Sequence, residues 1–248
     1  MTAEALEEAR PLAIVTGASR GLGATIARFL AGAGYDLVLT ARGAGPLAAA
    51  ARALEPFGVA VETMPGDVAD AAHRSALVDA VARRGGGLDL LVNNASALGP
   101  SPLPTLAEYP LRELETVLRT NLLAPIALVA ALVPALAARR GQVINISSDA
   151  ALGGYPGWGG YGASKAALDL ASLTLARELA NCGVSVVAVD PGDLRTAMHQ
   201  AAFPNEDLSD RPLPEVTVPF FAWLLHQPRE VVTGHRFRAQ ADRWEVPT

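Results

Sequence analysis

Tyr161 and Lys165 stand four residues apart in the stretch Tyr161-Gly-Ala-Ser-Lys165, and this spacing suits acid–base chemistry. On a helix, residues four apart share one face and lie one turn from each other. A free tyrosine has a pKa of about 10, and a nearby ammonium favours the phenolate and lowers that value. We therefore expect Tyr161 to exchange a proton with a carbonyl or alcohol oxygen. The competing interpretation is a helix that carries both residues without a shared role.

A glycine-rich turn near the N-terminus has the features of a phosphate-binding site. Leu12 to Thr16 is an apolar run that predicts a buried strand, and apolar residues recur at helical spacing from Leu22 onward. Between them, Gly17, Gly21 and Gly23 allow the backbone to approach a pyrophosphate, and the start of the following helix offers free N–H groups. Because the spacing differs from the usual GxGxxG arrangement, this turn alone is weak evidence for dinucleotide binding, and other parts of the chain must point to the same ligand.

The end of the second predicted strand, Tyr35 to Ala41, indicates which dinucleotide binds. An acidic residue at this place would accept hydrogen bonds from the ribose hydroxyls of NAD, but Ala41 and Arg42 stand there. An arginine suits a 2′-phosphate, and Arg20 in the glycine turn can reach the same group. We therefore expect NADP or NADPH, with NADH less favoured. The competing interpretation of Arg42 is a solvated loop residue.

The remaining chain alternates between predicted strands and helices, which indicates a parallel sheet covered on both faces. Further strands are predicted at Val59 to Thr63, Leu88 to Val92, Gln142 to Ser147, Val184 to Val189 and Val231 to Phe237. A long helical stretch, Leu106 to Ala138, is expected to bend at Pro125. The predicted fold class is α/β, with one Rossmann-type, doubly wound domain over residues 11–248 after a disordered leader at 1–10. The proline-rich segment 193–214 is expected to be a mobile lid.

Composition argues against several classes of protein. A net charge of −5 without a basic run argues against nucleic-acid binding. Cys182 is the one cysteine, so an internal disulfide is excluded and we expect no metal site. The run Leu122 to Ala138 is interrupted by Pro125 and Pro134, and the first residues lack the layout of a signal peptide. We therefore expect a cytoplasmic enzyme that does not associate with a membrane.

Several motifs follow one another along the chain: Thr16-Gly-Ala-Ser-Arg-Gly-Leu-Gly23, Asp67-Val68, Asn93-Asn94-Ala95, Asn121, Ser148, Tyr161-Gly-Ala-Ser-Lys165 and Pro191-Gly192 with Thr196. With these motifs the chain resembles the short-chain dehydrogenase/reductase family along nearly its whole length. They occur in the family's order and at its spacing. The joint match is highly specific, although each motif alone is not.

The resemblance implies roles for four catalytic residues. Tyr161 would be the general acid/base, and Lys165 would lower its pKa and bind the nicotinamide ribose. Ser148 would hold the substrate carbonyl oxygen, and Asn121 would fix a water that connects Lys165 to solvent. Two hydroxyl donors at one carbonyl oxygen would stabilise the charge that develops there as hydride arrives. The expected function is NADPH-dependent reduction of a carbonyl group on a small, apolar or aromatic substrate.

The resemblance also assigns two larger sets of residues. The expected cofactor-binding residues are Gly17, Ser19, Arg20, Gly21, Leu22, Gly23, Arg42, Asp67, Val68, Asn93, Ala95, Tyr161, Lys165, Pro191, Gly192, Leu194 and Thr196. Among these, Asp67 is expected at the adenine amino group, with Leu194 and Thr196 at the nicotinamide carboxamide. The competing role of Asp67 is a helix N-cap, which Asp70 fits better. The expected substrate-pocket residues are Ser96, Leu98, Leu103, Ser148, Ala150, Tyr155, Trp158, Met198 and Phe203. His199 is expected at the surface of the lid.

Two departures from the family's pattern stand out. The usual Asn-Asn-Ala-Gly ends in Ser96 here, and we expect its hydroxyl to face the substrate side. Many members end with an Asp-Gly-Gly-type segment, whereas this chain has Thr233-Gly234-His-Arg-Phe-Arg-Ala-Gln240. That end contributes to tetramers in the family, so the form of assembly is open, and a homo-oligomer, dimer or tetramer, is expected.

Two alternative functions stay open beside the reductase. One is a catalytically silent nucleotide-sensing or scaffold protein on the same fold; such proteins commonly lose the tyrosine or lysine, both present here. The other is an NADP-dependent alcohol dehydrogenase that works in the oxidative direction. Cofactor ratios in the cell, rather than the sequence, decide that direction.

Overall fold

A computed structural model describes residues 10–246, so the expected N-terminal leader lies outside the described residues except for Arg10. The strands are β1 Leu12–Thr16, β2 Asp36–Ala41, β3 Val61–Pro65, β4 Leu90–Asn93, β5 Gln142–Ile146, β6 Ser185–Asp190 and β7 Arg236–Arg238. They form one parallel sheet in the order β3-β2-β1-β4-β5-β6-β7. The strand order reverses between β1 and β4, where the carboxyl ends of such sheets open a crevice for ligands. The predicted doubly wound, Rossmann-type α/β fold is confirmed.

Helices cover both faces of this sheet. They are α1 Gly21–Gly32, α2 Ala44–Arg52, α3 Ala71–Arg83, α4 Leu111–Leu118, α5 Ala124–Arg139, α6 Ala150–Gly153, α7 Gly159–Glu178, α8 Ala197–Ala202, α9 Val218–His226 and α10 Arg229–Val232. Ile26 of α1 and Phe220 of α9 pack in one core layer. Leu77 of α3 and Leu132 of α5 pack in the layer on the opposite face. These two layers hold the strands whose ends line the crevice.

The structure corrects the predicted helix before β5. The stretch begins as α4 at Leu111 rather than at Leu106, because Leu106–Glu108 is a separate 3₁₀ turn and Pro110 precedes α4. The irregular part is a π-helical turn, Arg119–Leu123, rather than a bend at Pro125. Pro125 lies just after this turn at the start of α5, and because proline has no N–H it cannot donate to the preceding helical carbonyls, which fits the irregular hydrogen bonding there.

The last predicted strand is also corrected. Val231 and Val232 belong to the short helix α10, and only Arg236–Arg238 pairs with β6. Alternating apolar residues in so short a stretch do not separate one helical turn from a strand. β3 is shifted as well, because pairing with β2 begins at Val61 rather than at Val59.

The helical stretch Leu111–Arg139 is long and apolar enough, by length and composition alone, to cross a membrane. The expectation that prolines interrupt this run is wrong, because Pro134 lies inside α5. However, 44% of its most apolar window is buried in the protein. Leu128 and Leu132 pack in the core beneath the sheet, and a core helix of a soluble protein passes the same test. The buried side of the stretch is therefore part of the core of the fold.

The segment 193–214 folds back on itself around α8. The Arg195 amide donates to the Pro212 carbonyl at 2.8 Å, and Thr196 Oγ1 accepts from the His199 amide as the cap of α8. The expectation that this segment moves when substrate binds stays a prediction.

Candidate active site

The glycine turn between β1 and α1 is fixed against the end of β4. Gly17 has a φ of +67°, and a Cβ there would meet Asn94 Nδ2 at 2.8 Å and Ala95 Cα at 2.9 Å, so only glycine fits. Asn94 Nδ2 donates to the Thr16 carbonyl at 2.8 Å. Thr16 Oγ1 accepts from the backbone amides of Asn94 and Ala95, both at 2.9 Å. These bonds fix the start of α1 at the crevice.

The N-terminus of α1 offers backbone donors to a phosphate. Arg20 at the N-cap makes no side-chain capping bond, and no acidic residue lies in the first turn. The first N–H groups of a helix have no intrahelical acceptor and carry the positive end of its dipole. Arg20 and Arg42 are exposed and line the same cavity. This donor set fits a pyrophosphate with an additional phosphate nearby.

The cavity at the crevice has a volume of about 880 Å³, within the range of ligand sites. The predicted cofactor residues that line it are Gly17, Ser19, Arg20, Gly21, Leu22, Gly23, Arg42, Asp67, Val68, Ala95, Tyr161, Lys165, Pro191, Gly192, Leu194 and Thr196. Asp67 Oδ1 accepts from the Ala69 amide at 2.9 Å, which leaves Oδ2 for a ligand, and α3 is capped by Asp70, which accepts from the Ala72 amide.

The structure does not bring Asn93 to this cavity, which corrects its expected cofactor contact. Asn93 is 3% exposed, and its Nδ2 donates to Asn145 Oδ1 at 2.8 Å. Asn145 Nδ2 in turn donates to Ser172 Oγ of α7 at 2.8 Å. Asn93 therefore joins β4, β5 and α7 inside the core. Asn94, for which no cofactor contact was expected, lines the cavity instead, because successive side chains at a strand end point in opposite directions.

Tyr161 and Lys165 both line the cavity from α7, as their spacing predicted. The two side chains are buried, at 8% and 2% exposure. Lys165 Nζ donates to the Ile146 carbonyl at 2.7 Å and lies 5.5 Å from the centroid of the Tyr161 ring. The ammonium therefore joins α7 to the end of β5 beside the tyrosine.

Burial sets the proton affinity of both groups. Burial, with a smaller contribution from the nearby Asp190 and Asp149, raises the pKa of Tyr161 from 10.0 to about 12. Burial lowers the pKa of Lys165 from 10.5 to about 8, although Asp169 opposes that change. The predicted lowering of the Tyr161 pKa is wrong for the protein without cofactor. The loss of phenolate hydration raises the pKa by more than the surrounding hydrogen-bond donors lower it. Tyr161 is held in its proton-donating form.

The side chains of Ser96 and Ser148 lie near enough to the Tyr161 hydroxyl to lower its pKa, although less than burial raises it. Ser148 directly follows Ser147 at the end of β5, and its Oγ donates to Asp149 Oδ1 at 3.1 Å. Ser96 Oγ donates to Asn121 Oδ1 at 3.2 Å. Both serines line the cavity, so three hydroxyl groups converge at one place.

Asn121 is fully buried in the π-helical turn, a distortion that recurs at functional sites. Its Nδ2 donates to the Ala97 carbonyl and to Ser164 Oγ, both at 2.9 Å, and its Oδ1 accepts from the Ala97 amide at 2.7 Å. The side chain therefore joins the segment after β4 to α7 without lining the cavity. The predicted water contact of Asn121 stays a prediction, whereas these bonds position Ser96 and α7.

An aromatic wall borders the cavity beyond Tyr161. The Trp158 ring centroid lies 5.8 Å from that of Tyr161 and 5.9 Å from that of Phe203. His199 stacks on Phe203 at 5.4 Å with a side chain 12% exposed, which corrects its expected place at the surface of the lid. The other predicted substrate residues that line the cavity are Leu98, Ala150, Tyr155 and Met198. Leu103 packs against the apolar cluster behind this wall and is not among the lining residues.

Two side chains of the C-terminal stretch hold backbone carbonyls beside the site, and no role was predicted for either. Gln240 Nε2 donates to the carbonyls of Pro191 and Asp193, at 2.9 and 3.0 Å. Arg236 Nη2 donates to the Ser148 carbonyl at 2.8 Å. The one feature of the sequence that pointed to Arg236 and Gln240 is that this stretch departs from the family's usual ending.

A phosphate-binding turn, a cavity of dinucleotide size and a buried tyrosine–lysine pair with a serine together define a nicotinamide-dependent oxidoreductase site. The family described as short chain dehydrogenase matches residues 11–207. The chain belongs to this family and is an oxidoreductase.

Curated relatives include reductases of keto groups. The chain is 34% identical to the 3-oxoacyl-acyl-carrier-protein reductase FabG of Staphylococcus aureus over 211 residues, which is 84% of each protein. It is 37% identical to the ketoacyl reductase HetN of a Nostoc species over 180 residues, 72% of this chain and 62% of that protein.

A solved structure of the family contains a cofactor. The short chain dehydrogenase of Shigella flexneri, complexed with NADP, is 30% identical to this chain and superimposes with a TM-score of 0.86. The match covers 93% of this chain and 97% of that one.

Proposed function

We propose that the protein is an NADPH-dependent reductase that converts a carbonyl group of a small, apolar or aromatic substrate to an alcohol. The observation that carries the proposal is the convergence of the Ser148 and Tyr161 hydroxyls beside the buried Lys165. Hydroxyl donors held together in a water-poor cavity stabilise negative charge that develops on a carbonyl oxygen.

The chain's residues divide the work of reduction. When bound, NADPH supplies the hydride to the carbonyl carbon. Tyr161, held protonated by burial, donates its proton to the carbonyl oxygen, while Ser148 Oγ donates a hydrogen bond to the same oxygen. Lys165, with a pKa of about 8, is mainly charged at pH 7 and stabilises the phenolate that remains.

The cofactor preference is supported by the phosphate-binding side of the cavity. Arg20 and Arg42 offer two guanidinium groups near the end of β2, where Ala41 stands in place of an acidic residue. A guanidinium matches the geometry of a phosphate with two parallel hydrogen bonds. The NADP held by the related Shigella flexneri protein supports the same choice.

The substrate class is supported by the wall that Trp158 and Phe203 form next to Tyr161, with Leu98 and Met198 on the same cavity. Apolar and aromatic side chains favour a substrate with apolar or ring carbons beside its carbonyl. The two ketoacyl reductases among the relatives support reduction of a ketone.

A panel assay tests the proposal. Aromatic ketones, aldehydes, quinones and 3-oxoacyl thioesters are supplied with NADPH, and loss of NADPH absorbance is recorded for the wild type and for Tyr161→Phe. We expect reduction of at least one class by the wild type, lost in the variant. Absence of turnover for every compound with NADPH bound would favour the silent nucleotide-sensing alternative. Faster turnover of the matching alcohols with NADP would favour the oxidative dehydrogenase.

The proposed setting is a cytoplasmic enzyme that assembles as a homo-oligomer, with no nucleic-acid or membrane partner. Support for assembly comes from the exposed leucines of α4, α7 and the helical turn ahead of α5, Leu111 at 75%, Leu170 at 66% and Leu123 at 55% exposure. Apolar side chains grouped on neighbouring elements favour burial against a second subunit. Light scattering of the purified protein distinguishes a dimer or tetramer from a monomer.

A further inference from the structure

Arg236 of β7 connects three elements of the candidate site. Its Nε donates to Asp169 Oδ2 of α7 at 2.9 Å, and its Nη2 donates to the Ser148 carbonyl at 2.8 Å. The same Nη2 lies 3.3 Å from Asp190 Oδ2 at the end of β6. One guanidinium therefore joins β7 to Ser148 just beyond β5, to the helix of Tyr161 and to the strand that precedes Pro191.

The register of the sheet explains why Arg236 reaches these partners. Arg236 pairs with Ala188 of β6, and side chains two residues apart on a strand share one face, so Asp190 lies on the same side. Phe237, which follows, packs in the core layer on the other face. Asp169 lies four residues after Lys165 on α7, so it presents its carboxylate to the same side as the lysine.

The charges at this junction depend on one another. The side chains of Asp190, Asp169 and Arg236 are 4%, 15% and 22% exposed. A buried carboxylate whose cation is removed is strongly destabilised, since nothing replaces the water it lost on folding. Asp190 also accepts from the Gly192 amide at 3.0 Å, so this carboxylate connects Arg236 to the Pro191-Gly192 loop.

Two carbonyls at the end of β5 are held by cations. The Ile146 carbonyl accepts from Lys165 at 2.7 Å, and the Ser148 carbonyl accepts from Arg236 at 2.8 Å. By contrast, the described bonds of Ser148 Oγ run to its neighbours Asp149 and Ala150, which move with it. Ser148 Oγ also lies near the Tyr161 hydroxyl, and the Ser147 amide donates to the Val189 carbonyl at 2.7 Å. Among the described side chains, Arg236 is the one that joins the Ser148 carbonyl to α7, through Asp169.

From these contacts we propose that Arg236 is a positioning residue of the reductase, which fixes the backbone at Ser148 so that the Ser148 and Tyr161 hydroxyls meet one carbonyl oxygen. The inference rests on the proposed function of Ser148. Misplacement of a catalytic group by about 1 Å can cost a factor of about 100 in rate. Arg236 itself touches neither the cavity nor a reacting atom among the described residues, so its effect acts through Ser148.

The test compares Arg236→Met and Arg236→Lys with Arg238→Met, a matched control two residues along the same strand at an exposed position. Each variant is assayed for kcat, for the KM of NADPH, for thermal unfolding and for hydrogen exchange of the amides at 148–151. We expect Arg236→Met to lower kcat about 10- to 100-fold. The KM of NADPH should rise by a smaller factor, because Asp190 keeps its bond to the Gly192 amide. Exchange at 148–151 should rise in this variant and stay unchanged in Arg238→Met.

Arg236→Lys keeps a cation but loses the planar fork, so we expect a kcat between those of the wild type and Arg236→Met. If Arg236→Met does not fold, Arg236→Lys is used to test the inference instead. A wild-type kcat of Arg236→Lys, together with unchanged hydrogen exchange at 148–151, then overturns the inference. A lower melting temperature of Arg236→Met with unchanged kcat also overturns it. If the wild type reduces no compound but hydrogen exchange at 148–151 is faster in Arg236→Met, the backbone role of Arg236 is supported and the proposed function fails instead.

Discussion

The ammonium of Lys165 donates to the carbonyl of Ile146 at 2.7 Å, with both groups buried at the junction of α7 and β5. This bond holds the tyrosine helix against the strand that ends two residues before Ser148. It also removes the ammonium from bulk water, which explains why the pKa of Lys165 falls to about 8. The proton equilibria of the site therefore follow from how α7 packs.

The pKa of Lys165 can be measured directly because it is the only lysine in the chain. Protein labelled with ¹³C-lysine gives one side-chain Cε signal, and its shift is followed against pH. We expect a midpoint near 8 instead of the ordinary 10.5. A midpoint above 10 would mean that burial does not govern this ammonium.

The same shift predicts how stability depends on pH. Below pH 8 Lys165 is charged in both folded and unfolded chains, and folding bears the full cost of burying the charge. As pH rises from 8 towards 10.5, the folded chain releases its proton first, so the unfolded chain holds more protons and stability rises. Lys165→Met should remove this contribution. We therefore expect the free energy of unfolding of the wild type, relative to that of Lys165→Met, to increase as the pH rises from 8 to 10.

Denaturant unfolding at several pH values, run in parallel on both proteins, gives that difference. The ionisation of the tyrosines is common to both proteins and largely cancels in the comparison. A constant difference across this pH range would contradict the prediction.

Arg42 is expected to select the cofactor. Arg42→Ala should weaken NADPH binding about tenfold or more and leave NADH binding nearly unchanged, because a charge-assisted hydrogen bond contributes about 1.5–3 kcal/mol. Binding of both cofactors is measured by fluorescence titration. Arg52→Ala is the control, since Arg52 is exposed on α2 and does not line the cavity. Equal affinity of the wild type for NADH and NADPH would refute the assignment.

Gln240 is expected to fix the loop that begins at Pro191. Its amide donates to two carbonyls of that loop, at 2.9 and 3.0 Å, so Gln240→Ala loosens the segment that contains Leu194 and Thr196. We expect the KM of NADPH to rise about three- to tenfold, since each neutral hydrogen bond contributes about 0.5–1.5 kcal/mol. Gln227→Ala on the far end of α9 is the control. An unchanged KM would show that the loop keeps its position without Gln240.

The sequence predicted the parts of the fold that depend on periodic burial. The strands from β1 to β6 and the helices α1, α3 and α7 form where apolar spacing predicted them, with β3 and β4 each beginning two residues later than predicted, because these elements bury a continuous face. The short β7 was misplaced. Its three residues hold their place by pairing with β6, and a contact between distant parts of the chain leaves no periodic pattern in the sequence.

The site was predictable where family motifs coincide with cavity-lining residues. Asn93 and Asn94 were not distinguished, because which of two neighbours faces a cavity depends on where the strand ends. The raised pKa of Tyr161 was missed since desolvation depends on packing around the hydroxyl, whereas spacing shows only the nearby charge. Arg236 and Gln240 act on backbone carbonyls, which are identical at every position and give no sequence signal.

Ser148 is expected to share one oxygen atom with Tyr161. Ser148→Ala removes one donor and should lower kcat about 100- to 1,000-fold. The double variant with Tyr161→Phe should lower kcat by a much smaller factor than the product of the two single reductions, because both residues act on the same atom. Ser75→Ala, at an exposed position on α3, controls for loss of a serine hydroxyl. Independent, multiplicative losses would contradict a shared oxygen.

Turnover by Tyr161→Phe tests the central claim most directly. The change keeps the ring packed against Trp158 and removes only the hydroxyl, so folding and NADPH binding should survive. Tyr35→Phe, at a partly buried position outside the cavity, is the matched control. For the best substrate of the panel, we expect Tyr161→Phe to lower kcat about 10²- to 10⁴-fold while Tyr35→Phe keeps the wild-type rate. A folded, NADPH-loaded Tyr161→Phe that reduced this substrate at the wild-type rate would show that Tyr161 is not the proton donor.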